Sequence, residues 1–363
     1  MKEYRLSRRT FVGQLPLAVG ALSLAARPST AAERGVLNVG FIGLKGHQGT
    51  VMLALKEAGC RVAMACDDDR AMLNRAKKWP TADADTKFHT DWRAALDDGK
   101  LDIVCEAGVD SSRATILKAC AERGIHVISE KPLAFTLDEL AALKNAVAKA
   151  RTHLSMLLTM RFEPAYRVIR EQIAAGAIGK VCQAAMQKSY KLGNRPEWLR
   201  NHSTFSGIIP YIGIHALDLI RWTTGCEFTS AMGFQGNTGH PDLRDMEDNA
   251  SIALHLANGG SAAVRLDYCR PATAPTHGDD RLRIAGSKGV IESSEAGKKV
   301  TLITETEPPR ELPLPPPGKQ FLNYVRSIQG QEPCVVPAGD CFRITEVVLK
   351  IRDAAKRGEP VKL

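Results

Sequence analysis

The chain has 363 residues, of which 44% are hydrophobic and 25% charged, so an ordinary globular protein of two domains is expected. Its formal net charge is +9, but five bases against one acid in residues 1–32 leave about +5 for the remainder, where no basic run suggests nucleic-acid binding. No apolar stretch approaches the roughly 18–20 residues of a membrane span, and no pair among the nine cysteines has metal-ligand spacing, so neither a transmembrane segment nor a metal site is predicted.

The first 32 residues have the features of an export signal. A basic head precedes a modest apolar stretch from Phe11 to Ala26, and the small residues that follow suit a signal peptidase. Residues 7–12 resemble the twin-arginine motif, which directs the export of proteins that are already folded. Residues 1–32 are therefore predicted to be a twin-arginine signal peptide, and the protein is predicted to be periplasmic or otherwise exported.

Between residues 35 and 154, short apolar runs alternate with segments of helical periodicity. The predicted strands are residues 36–42, 61–66, 101–105 and 125–128, and the predicted helices are residues 48–58, 71–79, 112–123 and 137–150. Regular alternation of strand and helix predicts a doubly wound parallel sheet, that is, an N-terminal Rossmann domain in an α/β protein.

A glycine turn follows the first predicted strand, with Gly43, Gly46 and Gly49 spaced one residue wider than the usual dinucleotide fingerprint. Such glycines permit a tight bend and a close approach of the backbone to a pyrophosphate. Asp67 lies 24 residues after Gly43, at the end of the second strand, where an acid binds the ribose of NAD. Lys45 could instead reach the extra phosphate of NADP, so NAD is favoured and NADP stays open.

Lys131 follows the predicted strand 125–128 and stands between Glu130 and Pro132. In an open parallel sheet, ligands bind at the carboxyl ends of the strands. Pro132 fixes its own φ and restricts Lys131, and residues 136–139 form a capping box that opens the next helix. The segment thus predicts an amine held rigidly where a ligand would lie. The candidate cofactor-binding residues are Gly43, Lys45, Gly46, His47, Gln48, Asp67, Glu130, Lys131 and Pro132.

Beyond residue 155 the pattern changes to successive strands with short turns. The predicted strands are residues 181–191, 227–235, 250–257, 261–268, 281–285, 289–293 and 300–305, and helices are predicted over 159–176, 321–328 and 338–356. We therefore expect a C-terminal α/β domain with a large, mostly antiparallel open sheet over residues 155–336, followed by a helix and tail over residues 337–363.

A candidate acid–base group lies in this second domain. Tyr211, His215 and Asp218 fall at i, i+4 and i+7, which predicts one face of a helix. Imidazole suits proton transfer near neutral pH, although a lone histidine beside apolar residues is also commonly structural.

The ordered set of motifs resembles the glucose–fructose oxidoreductase, inositol dehydrogenase and rhizopine-catabolism family (Gfo/Idh/MocA). The resemblance covers residues 36–363 and includes the glycine turn, Asp67 and residues 130–132, 160–164, 176–180, 213–218, 247–250 and 284–289. It implies an NAD(P)-binding Rossmann domain over 35–154, a small-molecule carbohydrate as substrate, and a homo-oligomer formed through the C-terminal sheet.

The resemblance also implies roles for individual residues. Lys131 would lie near the nicotinamide and orient the reacting hydroxyl, and His215 would take or give the hydroxyl proton. Tyr211 stands where the family usually has an aspartate, and residues 109–113 replace a proline and a histidine that the family usually has. The candidate catalytic residues are Lys131, His215 and Tyr211, and the candidate substrate residues are Arg161, Trp198, Arg200 and Asp218.

Three functions stay open. The first is an exported NAD(P)-dependent oxidoreductase that transfers hydride between a sugar or polyol carbinol and a tightly bound nicotinamide, because a folded export route lets a bound cofactor travel with the protein. The second is an NAD-dependent glycosidase, in which transient oxidation permits elimination of the aglycone before the hydride returns. The third is a non-catalytic carbohydrate-binding protein, a hypothesis motivated by Tyr211 and the altered loop.

Overall fold

The structure, a computed structural model, describes residues 35–243 and 245–363. The predicted export signal over residues 1–32 lies outside this part of the chain. In the two described ranges, no helix is both long and apolar enough to pass through a bilayer.

Six parallel strands form the first sheet in the order β3-β2-β1-β4-β5-β6. The strands are β1 (Leu37–Ile42), β2 (Cys60–Cys66), β3 (Lys87–His89), β4 (Ile103–Glu106), β5 (His126–Ser129) and β6 (Leu154–Met156). The connecting helices are α1 (Gln48–Met52), α2 (Arg70–Ala76), α3 (Trp92–Asp98), α4 (Asp110–Glu122) and α5 (Leu137–Ala150). The strand order reverses between β1 and β4, which opens a crevice at their carboxyl ends and confirms the predicted Rossmann sheet.

Local sequence explains most of these elements. Thr136 and Glu139 form the predicted capping box at the start of α5. Helix α1 is shorter than predicted, because beyond Met52 several amides bond to carbonyls three residues back, as Ala54 does to Val51 at 3.1 Å. Strand β3 and helix α3 were not predicted, since a three-residue strand carries no readable alternation and α3 buries only Ala95 and Leu96.

The second sheet has nine strands in the order β14-β13-β12-β11-β7-β10-β9-β8-β15. These are β7 (Val181–Lys191), β8 (Phe228–Gly236), β9 (Asn249–Leu256), β10 (Ser261–Arg270), β11 (Arg281–Gly286), β12 (Gly289–Ser294), β13 (Lys299–Thr304), β14 (Arg310–Glu311) and β15 (Val361–Lys362). The β7–β10 pair is parallel and the other pairs of this sheet are antiparallel, which confirms the predicted mostly antiparallel sheet.

Four helices complete the fold, namely α6 (Pro164–Ala174), α7 (Ile214–Thr224), α8 (Gln320–Ile328) and α9 (Ala338–Arg357). Helix α9 packs against both α5 and β8. Helix α8 returns to the first sheet, where Phe321, Tyr324 and Val325 join the same hydrophobic core as β1. The hydroxyl of Tyr324 donates to the carbonyl of Val127 on β5 at 2.7 Å. The C-terminal helices therefore bind the two sheets into one unit.

Candidate functional site

The glycine turn lies in the crevice between β1 and β4. Gly43 has a φ of +73°, and a Cβ added there would lie 2.3 Å from the Cα of Gly108 on the loop after β4. Glycine is therefore required at this position on both conformational and steric grounds. The amide of Lys45 donates to Ala107 at 3.1 Å, and the side-chain amide of Gln48 donates to the carbonyl of Leu44 at 3.0 Å. These bonds fix the turn against the β4–α4 loop.

A cleft of about 210 Å³ opens beside this turn, between the ends of β1, β2 and β4. Asp67 lies in it and is buried, with its carboxylate accepting from the amides of Leu44 at 2.7 Å and Asp69 at 2.8 Å. Burial raises the pKa of Asp67, and those two hydrogen bonds oppose the shift. The cleft is lined by Ile42, Gly43, Lys45, Cys66, Asp67, Asp68, Thr90, Trp92, Gly108, Val109, Ser112 and Ile116. A carboxylate, a glycine turn and an apolar wall fit the adenosine half of a dinucleotide.

The positive charge of Lys45 is already balanced by two carboxylates. Its ammonium lies 2.7 Å from Asp68 and 3.5 Å from Asp67. A lysine held by two carboxylates is a weak ligand for the 2′-phosphate of NADP, so the geometry favours NAD.

Glu130 ties the lysine segment to the glycine turn. Its carboxylate accepts from the amide of His47 at 2.6 Å and also pairs with the imidazole Nδ1 of His47. Burial alone would raise the pKa of Glu130, but the hydrogen bond and the charges of His47 and Lys131 hold it well below its usual range. A Cβ at Gly46 would lie 2.8 Å from this side chain. The structure thus brings Gly46, His47 and Glu130 together at the glycine turn.

Lys131 is 2% exposed, and its ammonium lies 3.4 Å from the centre of the Tyr211 ring. Among the residues that the structure describes, no carboxylate forms an ion pair with it. Burial lowers the pKa of Lys131 to about 8, while the nearby Glu130 and Asp110 oppose the shift. The ring face of Tyr211 therefore contacts the amine of Lys131. A carboxylate in its place would raise the pKa of Lys131 and keep the amine protonated.

Tyr211 does not belong to the regular α-helix that carries His215 and Asp218, contrary to the prediction. Residues Ile209–Gly213 form a π-helical turn, and α7 begins only at Ile214, so the wider turn breaks the 3.6-residue period. The Tyr211 ring packs edge-on against Trp198, with ring centres 6.1 Å apart.

His215 has an unusual environment. Its Nδ1 is buried and has no hydrogen-bond partner in the described part of the chain. Burial, followed by the positive charges of Lys188 and Lys131, lowers the pKa of His215 well below its ordinary value. The imidazole is consequently neutral at physiological pH. Buried polar atoms are normally hydrogen-bonded, so this atom marks a position that a ligand or water would complete.

The structure does not bring Arg161 and Asp218 to this site. Their side chains form a two-point ion pair, with nitrogen–oxygen distances of 2.9 and 2.6 Å, and Arg161 also lies 2.8 Å from Asp340 on α9. Arg161 is 1% exposed, and a guanidinium so deeply buried requires carboxylate partners. Arg161 and Asp218 are therefore paired with each other and not available to a substrate. Because Arg161 also contacts Asp340, it joins α7 to α9.

Trp198 and Arg200 lie in a short 3₁₀ turn, Glu197–Arg200. Trp198 reaches the site through its contact with Tyr211. Arg200 donates from Nε to the carbonyl of Arg195 at 2.9 Å, so it braces the loop that carries Trp198. The geometry thus places Trp198 beside the site and gives Arg200 a supporting contact.

Sequence reasoning missed a cluster centred on Arg113, a residue it had noted only as a departure from the family pattern. Arg113 is 1% exposed and lies 2.7 Å from Glu106 and 2.9 Å from Asp110. It also donates to the carbonyls of Pro132 and Gly108, each at 2.8 Å. The guanidinium therefore holds the nucleotide-side loop and the lysine segment in one arrangement. Opposite charges three residues apart on α4 were the available signal.

Asp110 extends this cluster to the segment before the π-helical turn. Its free carboxylate oxygen accepts from the hydroxyl of Ser206 at 2.5 Å and from the amide of Ser206 at 3.1 Å. Residues 206–208 lead directly into the turn that carries Tyr211, so the cluster links both parts of the site. Within the described ranges, no group of three or more His, Cys, Asp or Glu side chains could hold a metal ion.

Comparisons with known proteins agree with this geometry. The model of the oxidoreductase family's NAD-binding Rossmann fold matches residues 37–157, and the model of the GFO/IDH/MocA C-terminal domain matches residues 166–292. A solved Thermotoga maritima structure assigned as an oxidoreductase is 32% identical, with a TM-score of 0.85, over 90% of this chain and 100% of that one.

Two further relatives have named activities. Inositol 2-dehydrogenase 2 of Saccharopolyspora erythraea is 26% identical over 61% of this chain and 64% of its own length. A levoglucosan dehydrogenase solved with NADH shares the fold, with 20% identity and a TM-score of 0.77 over 90% of this chain and 98% of that one. Matches to the curated relatives span about three fifths of those proteins. With the NAD-binding Rossmann fold followed by the matching C-terminal domain, the chain belongs to the Gfo/Idh/MocA family of oxidoreductases.

Proposed function

We propose that the protein oxidises or reduces a carbinol of a sugar or polyol with NAD as the hydride carrier. The observation that carries this proposal is the desolvated amine of Lys131, held against Tyr211 and tied through Glu130 to the glycine turn. The named inositol and levoglucosan dehydrogenases support a hydroxylated substrate. Bound NAD would supply the acceptor for the hydride of the substrate carbon.

In this proposal, Lys131 and His215 have roles different from those that the family resemblance implies. The amine of Lys131 has a pKa of about 8, close enough to neutral pH for it to take up and release the hydroxyl proton. Neutral His215 is too weak a base to store that proton, but its unpaired Nδ1 can hydrogen-bond the hydroxyl or a water that serves it. Lys131 would therefore be the acid–base group, and His215 would orient the carbinol.

Tyr211 is compatible with this scheme. Its ring contributes a cation–π contact and excludes water from the amine, and it does so without a carboxylate. The substitution of the usual aspartate would thus change the basicity of Lys131 without removing its function.

The test is to denature the purified protein, identify any released nucleotide by mass spectrometry, and measure NADH formation with a panel of sugars and polyols. Lys131→Met is expected to lower kcat by at least about a hundredfold. Lys144→Met is the matched control, because it removes an exposed lysine from α5. A protein that neither retains nor binds NAD, or a Lys131→Met variant with full kcat, would refute the proposal. Release of aglycone from a glycoside without net NADH would identify the glycosidase chemistry instead.

We also propose that the second sheet mediates homo-oligomer formation. Residues of β8, β9 and β10 alternate between buried and exposed, and the exposed face carries a groove of about 670 Å³ lined largely by alanine, serine and apolar side chains. Phe234 is 60% exposed on this face. An exposed apolar face of this size is typical of an interaction site. Phe234→Glu is expected to lower the molar mass measured by light scattering, and an unchanged mass would contradict the proposal.

Export remains a proposal based on residues 1–32. Replacing Arg8 and Arg9 together by lysine should retain the protein inside the cell, because the twin-arginine pair is the recognised feature. Fractionation of cells that express the full chain measures this directly. Unaltered export of the double variant would contradict the assignment.

A further inference from the structure

Arg195 is partly buried and lacks the carboxylate partners that the fully buried Arg113 and Arg161 have. Its guanidinium carbon lies 4.3 Å from the centre of the Tyr268 ring, and its Nε is buried without a hydrogen-bond partner. Arg113 and Arg161, in contrast, are each paired with two carboxylates. In the described part of the chain, no carboxylate lies within ion-pair distance of Arg195. The residue as a whole is only partly buried, but its buried Nε lacks an acceptor, and buried polar atoms are normally hydrogen-bonded, which points to a ligand acceptor that completes it.

This guanidinium lies near the proposed active site. The bond from Arg200 to the Arg195 carbonyl fixes it in the same loop as Trp198, which packs on Tyr211. The charge of Arg195 also acts on the phenol of Tyr211, whose ring covers Lys131. Arg195 therefore belongs to the substrate side of the site, beyond the Tyr211 ring from the glycine turn.

A second group near Arg195 is also unpaired. Tyr268, on β10, is 1% exposed, and its hydroxyl is buried without a hydrogen-bond partner. A phenol O–H and a guanidinium on neighbouring side chains both donate hydrogen bonds, so they suit an acceptor with several lone pairs. His215 Nδ1 provides a third unpaired group for the reacting hydroxyl. Arg195 Nε, the Tyr268 hydroxyl and His215 Nδ1 are thus three buried polar atoms without a hydrogen-bond partner in the described part of the chain.

The acidic side chains around this space are already occupied. Glu130 pairs with His47, and Asp110 pairs with Arg113 and Ser206. Glu247 accepts from the side chain of Gln235 at 2.9 Å and from the amide of Ile208 at 3.2 Å. Among the described residues, Arg195 thus forms no ion pair with these carboxylates.

We infer that the substrate is a sugar acid, whose carboxylate pairs with Arg195 and Tyr268 while its carbinol lies at Lys131. A guanidinium fork matches the two oxygens of a carboxylate, and a single positive charge balances a monoanion better than a phosphate dianion. This inference rests on the proposed function and specifies the substrate class of the same site.

The test compares ligands that differ at one carbon. Glucuronate is compared with glucose, galacturonate with galactose, and glucose 6-phosphate tests the other anion. Binding to the NADH complex is followed by the fluorescence of bound NADH, and kcat/KM is followed by NADH formation. The wild-type protein should prefer each uronate over its neutral sugar by roughly tenfold or more, as expected for a charge-assisted pair.

Variants locate the effect. R195Q should bring the uronate-to-sugar ratio close to one, and R195K should retain an intermediate ratio, because an ammonium keeps the charge without the fork. R326Q is the matched control, since it removes an exposed arginine of α8, and it should keep the wild-type ratio. Thermal melting and NADH affinity of each variant establish that it is folded.

Three results would overturn the inference: neutral sugars that bind as tightly as uronates, a preference that survives in R195Q, or a stronger preference for the sugar phosphate. Each leaves the proposed function intact, provided that NADH binds and a neutral sugar or sugar phosphate is turned over. Failure to bind NADH at all would instead refute the proposed function, and the inference with it.

Discussion

The basicity of Lys131 can be tested by restoring the aspartate that the family usually has at position 211. The ammonium of Lys131 lies 3.4 Å from the centre of the Tyr211 ring, so a carboxylate at this position would lie within a few ångströms of it. An opposite charge at such a distance raises the pKa of a lysine by about 1–3 units. Starting from a pKa of about 8, Tyr211→Asp should shift it to roughly 9–11.

The sign of the effect on the rate follows from the protonation state required. Oxidation of a carbinol needs the neutral amine, so the rate should rise with pH and level off above the pKa of Lys131. In the wild-type protein the midpoint should lie near pH 8. In Tyr211→Asp the neutral fraction at pH 7 falls by about 10- to 1000-fold for a shift of 1–3 units, and kcat should fall with it.

The assay is the pH dependence of kcat at saturating NAD and substrate, from pH 6 to 11, with protein stability checked at each pH. Tyr211→Phe is the control, because it keeps the ring face that contacts the amine and should leave the midpoint near 8. The reasoning is refuted if Tyr211→Asp keeps the wild-type midpoint. It is refuted equally if the rate falls with rising pH, which would mean that the protonated amine is the active form.

Two further predictions concern the loops that frame the site. Arg113→Met should lower the free energy of unfolding in urea by about 3–5 kcal/mol, because it leaves two buried carboxylates without their cation. The control, Arg123→Ala, breaks an exposed ion pair that contributes about 0–1 kcal/mol. Equal losses of stability in the two variants would contradict the assignment of a buried ion pair to Arg113. Gly43→Ala should abolish measurable NADH binding by fluorescence titration, since its Cβ would lie 2.3 Å from Gly108, while Gly49→Ala, whose Cβ would meet nothing within 4 Å, should bind normally. Normal binding by Gly43→Ala would show that the turn adapts.

Local sequence patterns were sufficient to predict those features that depend on a single helix, strand or turn. Helix α5 and strand β7 begin and end at the predicted residues, and a capping box starts the helix. The glycine turn and the Glu130–Lys131 segment were also predictable, since strand ends determine where they lie. The π-helical turn before α7 was not predictable, because its register depends on tertiary packing around Tyr211.

The rest of the site depends on pairings between distant parts of the chain. Ser206 and Asp110 are 96 positions apart, and Arg161 meets Asp218 across 57 positions, so neither pairing is visible in a single sequence. The interpretation of Asp218 as a substrate residue failed for this reason: its counter-charge was not apparent. Arg195 is informative because its buried Nε lacks a hydrogen-bond partner in the described part of the chain, which a sequence alone does not reveal.

The return of α8 to the first sheet has a consequence for biosynthesis. Phe321 completes the core that contains Phe41, yet the ribosome adds it 280 residues later. At about 5–20 residues per second, strand β1 therefore waits roughly 14–56 s for this last core helix. The core beneath the glycine turn is therefore completed late in synthesis, well after all six strands of the nucleotide-binding sheet have been made.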